Sequence, residues 1–263
     1  MTITSDVPDL LEVDCLDVHL GTGRAHVLHA VSLAIPEGTT LGLVGESGSG
    51  KSTLAKALVG INRVTDGTIR FRGADVTVMR GRERGALRRR IQLVPQDPYS
   101  SLNPRRTIGA ALAEAISPRR VRVRAHTDRI VDLLRLVGLD EGAMTRLPRE
   151  FSGGQRQRIA IARALAVEPD LLIADEITSA LDLSTQASIL ELLVDLQRKL
   201  GLTMLFISHD LAVVEQVSDS VLVLLDGDVV ECGPAQKVFS APKDGYTKSL
   251  IDSIPGGPGF TLD

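Results

Sequence analysis

Three short runs carry groups suited to handling a phosphate chain. Gly45, Glu46, Ser47, Gly48, Ser49, Gly50, Lys51, Ser52 and Thr53 follow the pattern G-x-x-x-x-G-K-[ST]. Glycines at this spacing let successive N–H groups point at phosphate oxygens without Cβ clashes. A helix opening at Lys51 would aim its positive dipole end at the same anion. Lys51 would bridge β- and γ-phosphates, and the Ser52 hydroxyl would sit on Mg²⁺.

The second run, Leu171-Leu172-Ile173-Ala174-Asp175-Glu176, is apolar and ends in two carboxylates. A buried strand rarely ends so without a cation or a chemical task for the charge. Asp175 would bind Mg²⁺ through its water shell, and Glu176 would orient and polarise the water attacking the γ-phosphate. The structural alternative is a helix N-cap beyond the strand. The third run, Ser152-Gly153-Gly154-Gln155 after Phe151, is a capping box S-x-x-Q. It could be only a well-capped helix. Two adjacent glycines, however, leave the helix N–H groups open to an incoming anion, a half-site without its own lysine.

These groups need strands that end at one edge. Apolar runs at 40–44, 91–95, 171–174 and 203–207 predict buried strands, with helices over 51–60, 184–200 and 210–217 between or after them. Strand–helix alternation implies a largely parallel sheet covered on both faces. Gln96 follows one strand and His209 another, both at the C-terminal edge where such sheets bind ligands. Runs at 11–18 and 27–35 predict amino-terminal strands, and 68–71 another; 221–225 and 229–231 close the sheet around Asp226-Gly227. Between 96 and 165 the pattern turns helical: Ile130, Leu133, Leu134 and Val137 follow helical spacing, and a further helix is predicted over 152–167 with apolar Ile159, Ile161, Leu165 and Val167.

Composition narrows the class. The 263 residues carry a net charge of −3, which argues against a general nucleic-acid binder. Five phenylalanines, two tyrosines and no tryptophan leave the core to Leu, Val, Ile and Ala. Two cysteines without C-x-x-C spacing suggest neither a disulfide framework nor a metal site, and a reducing compartment fits. Residues 1–10 do not read as a signal peptide, and no apolar run approaches the ~18–20 residues that span a bilayer. A membrane role would be peripheral.

Taken together, these motifs resemble the nucleotide-binding subunit of ABC transporters. Gly45–Thr53 matches the family's Walker A loop, Gln96 its Q-loop glutamine and Phe151–Gln155 its signature, which usually begins with Leu. Leu171–Glu176 matches Walker B, Ser179-Ala180-Leu181-Asp182 the D-loop, and His209 the switch histidine. The resemblance implies a P-loop NTPase α/β core over 1–95 and 166–235, an inserted helical subdomain over 96–165 and a tail over 236–263. It implies catalytic roles for Glu176, His209 and Gln96, and Mg²⁺ held by Ser52, Gln96 and Asp175. ATP would contact the Walker A residues together with Ser152, Gly153, Gly154, Gln155 and Asp182; in a head-to-tail pair of such domains, Ser152 and Gly154 would touch the γ-phosphate held by the second subunit.

Pro95–Arg105 is similar to the oligopeptide, dipeptide and nickel importer branch, as is Gly245-Tyr246-Thr247-Lys248-Ser249-Leu250 with Ile254-Pro255. That branch implies two membrane permease subunits, a solute-binding protein and a place on the cytoplasmic face of the membrane. Peptides are the expected cargo, nickel or a metal chelate the alternative. Gln96–Arg105 is the expected groove for a permease's coupling helix. Two departures stand out: Ile177 where the family has Pro, and no aromatic before Ala30 to stack on adenine, with only His19 and His26 noted nearby. The arginines at 80–90 and 119–124 leave a DNA- or RNA-linked ATPase as the competing class, although no coiled coil or zinc module separates the first and third runs.

Overall fold

In a computed structural model of the protein, residues 8–21 and 25–253 are described; segment 1–7 and Ile254-Pro255 lie outside them. Among the described residues two sheets form. Strands β1 (Asp9–Leu20), β2 (Ala25–Pro36), β3 (Thr40–Val44), β4 (Asp66–Phe71) and the two-residue β5 (Ala74–Asp75) open the chain. The antiparallel sheet runs β2-β1-β4-β5. β1 and β2 extend past the predicted ends.

The larger sheet adds β6 (Ile91–Val94), β7 (Leu171–Asp175), β8 (Thr203–Ile207), β9 (Ser220–Leu225) and β10 (Asp228–Pro234) in the order β10-β9-β3-β8-β7-β6. All its pairings are parallel except β9–β10, so it is the expected mostly parallel α/β sheet. Its central strands β3, β7 and β8 are buried at every position because both faces are covered. Leu41, Leu43, Leu171, Ile173, Leu205 and Ile207 face one core, shared with the antiparallel sheet and helix α1 (Lys51–Leu58). Leu172, Ala174, Met204 and Phe206 alternate onto the other.

That second core also takes in the helices between β6 and β7: α3 (Ile108–Ile116), α4 (Thr127–Leu136) and α5 (Gly153–Leu165). The helical insertion is thus continuous with the sheet's hydrophobic face, joined through α5. α6 (Leu183–Leu200), α7 (Leu211–Val217) and the short α8 (Ala235–Ser240) complete that layer. Helix α2 (Gly81–Arg90) buries none of its own residues. Its arginines nonetheless serve the fold: Arg88 donates to the Val59 and Gly60 carbonyls at the end of α1, and Arg90 pairs with Asp170. Among the described residues no helix is long and apolar enough to cross a membrane.

Candidate functional site

The parallel strands deliver their C-terminal ends to one edge. From β3 the chain enters the glycine loop and then α1, in the strand–loop–helix order that the motif requires. Gly45 adopts φ 151°, and a Cβ there would fall 2.0 Å from the Leu224 carbonyl oxygen, so only glycine starts this loop. The loop closes on itself through Ser49 N–H to the Glu46 carbonyl (3.2 Å), and Gly227 N–H ties Ser49 to the β9–β10 turn (3.0 Å).

Lys51 is buried, and its ammonium donates to the Gly45 and Glu46 carbonyls at 2.7 and 2.8 Å. Burial pulls its pKa down; the carboxylates of Glu176 and Asp175 pull the other way. The Ser52 hydroxyl donates to Asp175 Oδ1 at 3.0 Å, which brings the predicted metal-holding pair together. Burial raises the Asp175 carboxyl above its ordinary range. Hard oxygen donors beside a buried carboxylate fit Mg²⁺. Among the described residues the buried Ser49 hydroxyl has no hydrogen-bond partner, as expected of a loop built to meet an anionic oxygen.

Glu176 follows β7 in a left-handed conformation (φ 49°), its N–H donating to the Ile207 carbonyl at the end of β8 (2.9 Å). That places its carboxylate 3.6 Å from His209 Nδ1. Ile177 is buried in the core and leaves both carboxylates at the edge. Gln96 Nε2 donates to Ser179 Oγ (3.0 Å), which donates to the Glu176 carbonyl (2.9 Å). In the sequence Ser179 stands out only as the start of the D-loop match; its role as the link between Gln96 and Glu176 was not foreseen. A cleft of about 230 Å³ is lined by Ser47, Gly48, Gly50, Lys51, Ser52, Thr53, Gln96 and Glu176.

Ser152, Gly153, Gly154, Gln155 and Asp182 do not line this cleft. The capping box forms as expected: Ser152 Oγ accepts from Gln155 N–H (3.3 Å), and Gln155 Oε1 accepts from Ser152 N–H (3.0 Å). The Gln155 carbonyl oxygen is therefore occupied at home. A Cβ on Gly154 would fall 2.2 Å from Thr185 Cγ2, so this glycine lets α5 approach α6; Gly153 has ordinary room. Asp182 caps α6, accepting from Thr185 N–H and from the Ser184 and Thr185 hydroxyls, which hold its carboxyl well below the usual range. Thr185 thus joins the two predicted lid elements. Phe151, where Leu is usual, is buried with the Arg146 guanidinium 4.2 Å from its ring centre.

At the predicted adenine side, His19 and His26 stack nearly parallel with ring centres 4.2 Å apart, and His29 packs edge-on against His26 at the same distance. His29 was missed in the sequence because it reads as one polar position of an alternating strand. Its N–H donates to the Gly227 carbonyl, beside the loop (2.9 Å).

The family model for ABC transporters matches residues 28–179. A Brucella ovis chain named for peptide import as an ATP-binding protein is 47% identical over 249 residues, covering 94% of this chain and 78% of its own. The dipeptide transport ATP-binding protein DppF of Lactococcus lactis is 46% identical over 253 residues, with 94% and 81% covered. Among solved structures, CbiO1 of Clostridium perfringens, described as part of the ABC transporter complex cbiONQ, superposes with a TM-score of 0.78 at 30% identity, covering 89% of this chain and 91% of that one. The ATP-binding cassette MJ0796, in a dimeric post-hydrolysis state bound to ADP and Pi, gives 0.74 at 29% identity, covering 86% and 98%. A match over more than half the chain, and near-half identity across nearly all of it, sets the conclusion: the chain belongs to the ABC transporter family of ATP-binding proteins.

Proposed function

We propose that this protein is the ATP-hydrolysing subunit of a peptide importer, paired with a second ATP-binding subunit and driving two separate permease subunits. The convergence of Lys51, Ser52, Asp175 and Glu176 at one sheet edge is the observation that carries the reading. Peptides are preferred to nickel because the named relatives concern peptide and dipeptide transport. Delivery by a solute-binding protein and a place on the cytoplasmic face of the membrane follow from that role.

Within the pair, the loop N–H groups and Lys51 bind the phosphate chain, Lys51 exchanging the Gly45 and Glu46 carbonyls for phosphate oxygens. Ser52 and Asp175, with Gln96 nearby, would hold Mg²⁺, which when bound neutralises charge on the β- and γ-phosphates. Glu176 takes up the proton of the attacking water, and His209, at 3.6 Å, senses whether that carboxylate is engaged. Gln96 is tied through Ser179 to the backbone carbonyl of Glu176, and so to the turn that positions its carboxylate. The amino end of α5 and Asp182, lying off the cleft, close over the nucleotide of the partner subunit. The Gln96–Arg105 stretch, where Arg156 covers the Tyr99 ring at 4.2 Å, receives the permease's coupling helix.

Glu176→Gln should bind ATP, lose turnover by about 10²–10⁴-fold, and accumulate as a closed dimer in MgATP by light scattering. Turnover at the parental rate removes Glu176 as the base. Strict monomer, even beside its natural companion subunit, ends the paired-site reading. Lys51→Ala should abolish ATP binding by calorimetry, and unchanged affinity would overturn the cradle.

A further inference from the structure

The carboxy-terminal run Gly245–Leu250 lies in helix α9 (Gly245–Asp252), and this helix places a side chain on the glycine loop. The Glu46 N–H donates to the Tyr246 hydroxyl at 3.0 Å, across 200 residues of sequence. Glu46 N and Gly45 O are the two ends of a single peptide unit. The oxygen end accepts from Lys51 Nζ at 2.7 Å. One peptide plane is therefore gripped by the lysine on one side and by the tail on the other.

Tyr246 is itself braced. Asp244 caps α9, accepting from Tyr246 N–H at 2.8 Å and Thr247 N–H at 3.4 Å. Glu231 on β10 accepts from Lys243 N–H and Asp244 N–H at 3.0 and 3.1 Å. The Tyr246 ring packs against the larger core, and Thr247 is buried. The hydroxyl is thus presented from a fixed support. The peptide it holds is not intrinsically fixed, because Gly45 on its amino side lacks the Cβ that would restrict rotation.

We propose that Tyr246 is a positioning residue for the phosphate loop, its hydroxyl fixing the Gly45–Glu46 peptide when Lys51 leaves the Gly45 carbonyl for the phosphates of ATP. This rests on the reading of residues 45–53 as the phosphate cradle. Without the tyrosine hydroxyl, the N–H must turn toward water, and the loop samples orientations that do not present its amides to an anion. A binding-competent state that is only partly populated weakens apparent affinity in proportion. The loss therefore falls on the ATP KM rather than on kcat.

The test uses the full chain carrying Tyr246→Phe, which keeps the ring and removes the hydroxyl. Its Kd for MgATP should rise by about 3- to 10-fold, the range of one modest hydrogen bond. Amide exchange in the peptide covering residues 45–52 should accelerate by a similar factor. In the assembled transporter the ATP KM should rise by that same factor. Glu46→Pro removes the donor, so adding Tyr246→Phe to it should cause no further loss. Parental Kd and parental exchange in Tyr246→Phe overturn the proposal, as do losses that multiply in the double variant. If Lys51→Ala still abolishes binding in that event, the cradle stands and only the tyrosine's role falls; if Lys51→Ala binds normally, the cradle beneath it fails.

Discussion

Asp175 illustrates a functional residue that works against the empty fold. Burial raises its carboxyl pKa, while the Ser52 hydroxyl acts in the opposite direction. A carboxyl raised in the folded state destabilises increasingly as pH climbs above the ordinary value of 3.8, and fully above the folded value. Asp175→Asn should therefore raise the melting temperature of the nucleotide-free protein at neutral pH, by about 2–4 °C for each kcal/mol of relieved burial. It should also lose Mg²⁺-dependent ATP turnover. A lower melting temperature in calorimetry would show that the Ser52 bond outweighs the burial cost. His29 behaves oppositely: its hydrogen bond to Asp228 raises the imidazole pKa. That pairing stabilises below the ordinary value of 6.5 and fades as pH rises through the raised one. Both groups reach solvent, so the energy is small. The direct check is NMR titration, in which Asp228→Asn should bring the His29 midpoint down.

At the level of elements, α5 is held by three different devices. Its first turn is closed by the Ser152–Gln155 box, and Ser152→Ala should cost about 1 kcal/mol in denaturant unfolding. Its second residue, Gly154, lets Thr185 of α6 come close, and Gly154→Val should push the two helices apart and destabilise by more than the loss of the cap. Its middle is anchored by Arg158, which donates to the Val137 carbonyl (2.6 Å) and the Ser188 hydroxyl (2.5 Å). The strands of the parallel sheet and the capping box were legible in the sequence, because a doubly covered strand is apolar throughout and a cap needs only four residues. β5 was not, since two residues carry no periodicity. The bond from Tyr246 to Glu46 was not either: the tail motif is visible, but a contact across 200 positions has no local signature. The same holds for the bond from Gln96 to Ser179, which forms only when β6 and β7 lie side by side.

Across the whole molecule, the six-stranded sheet separates two cores, one behind the glycine loop and α1, the other beneath α5 and α6. The cleft opens at the C-terminal edge of the sheet, whereas Ser152 to Gln155 and Asp182 sit at the amino ends of α5 and α6 and line none of it; the proposed pairing would bring them over the nucleotide of a second subunit. For the Glu176→Gln protein, MgATP stabilisation should accordingly depend on protein concentration, since association adds to ligand linkage. A melting temperature that rises with MgATP but stays fixed over a hundredfold dilution would argue against paired closure. The tail tyrosine has an optical consequence as well. The chain has no tryptophan and only two tyrosines, Tyr99 beneath the Arg156 guanidinium and Tyr246 against the loop. One of its two native phenols thus sits on the nucleotide's doorstep, so the unlabelled protein carries a built-in fluorescent reporter of ATP arrival, with Tyr99→Phe leaving that signal alone.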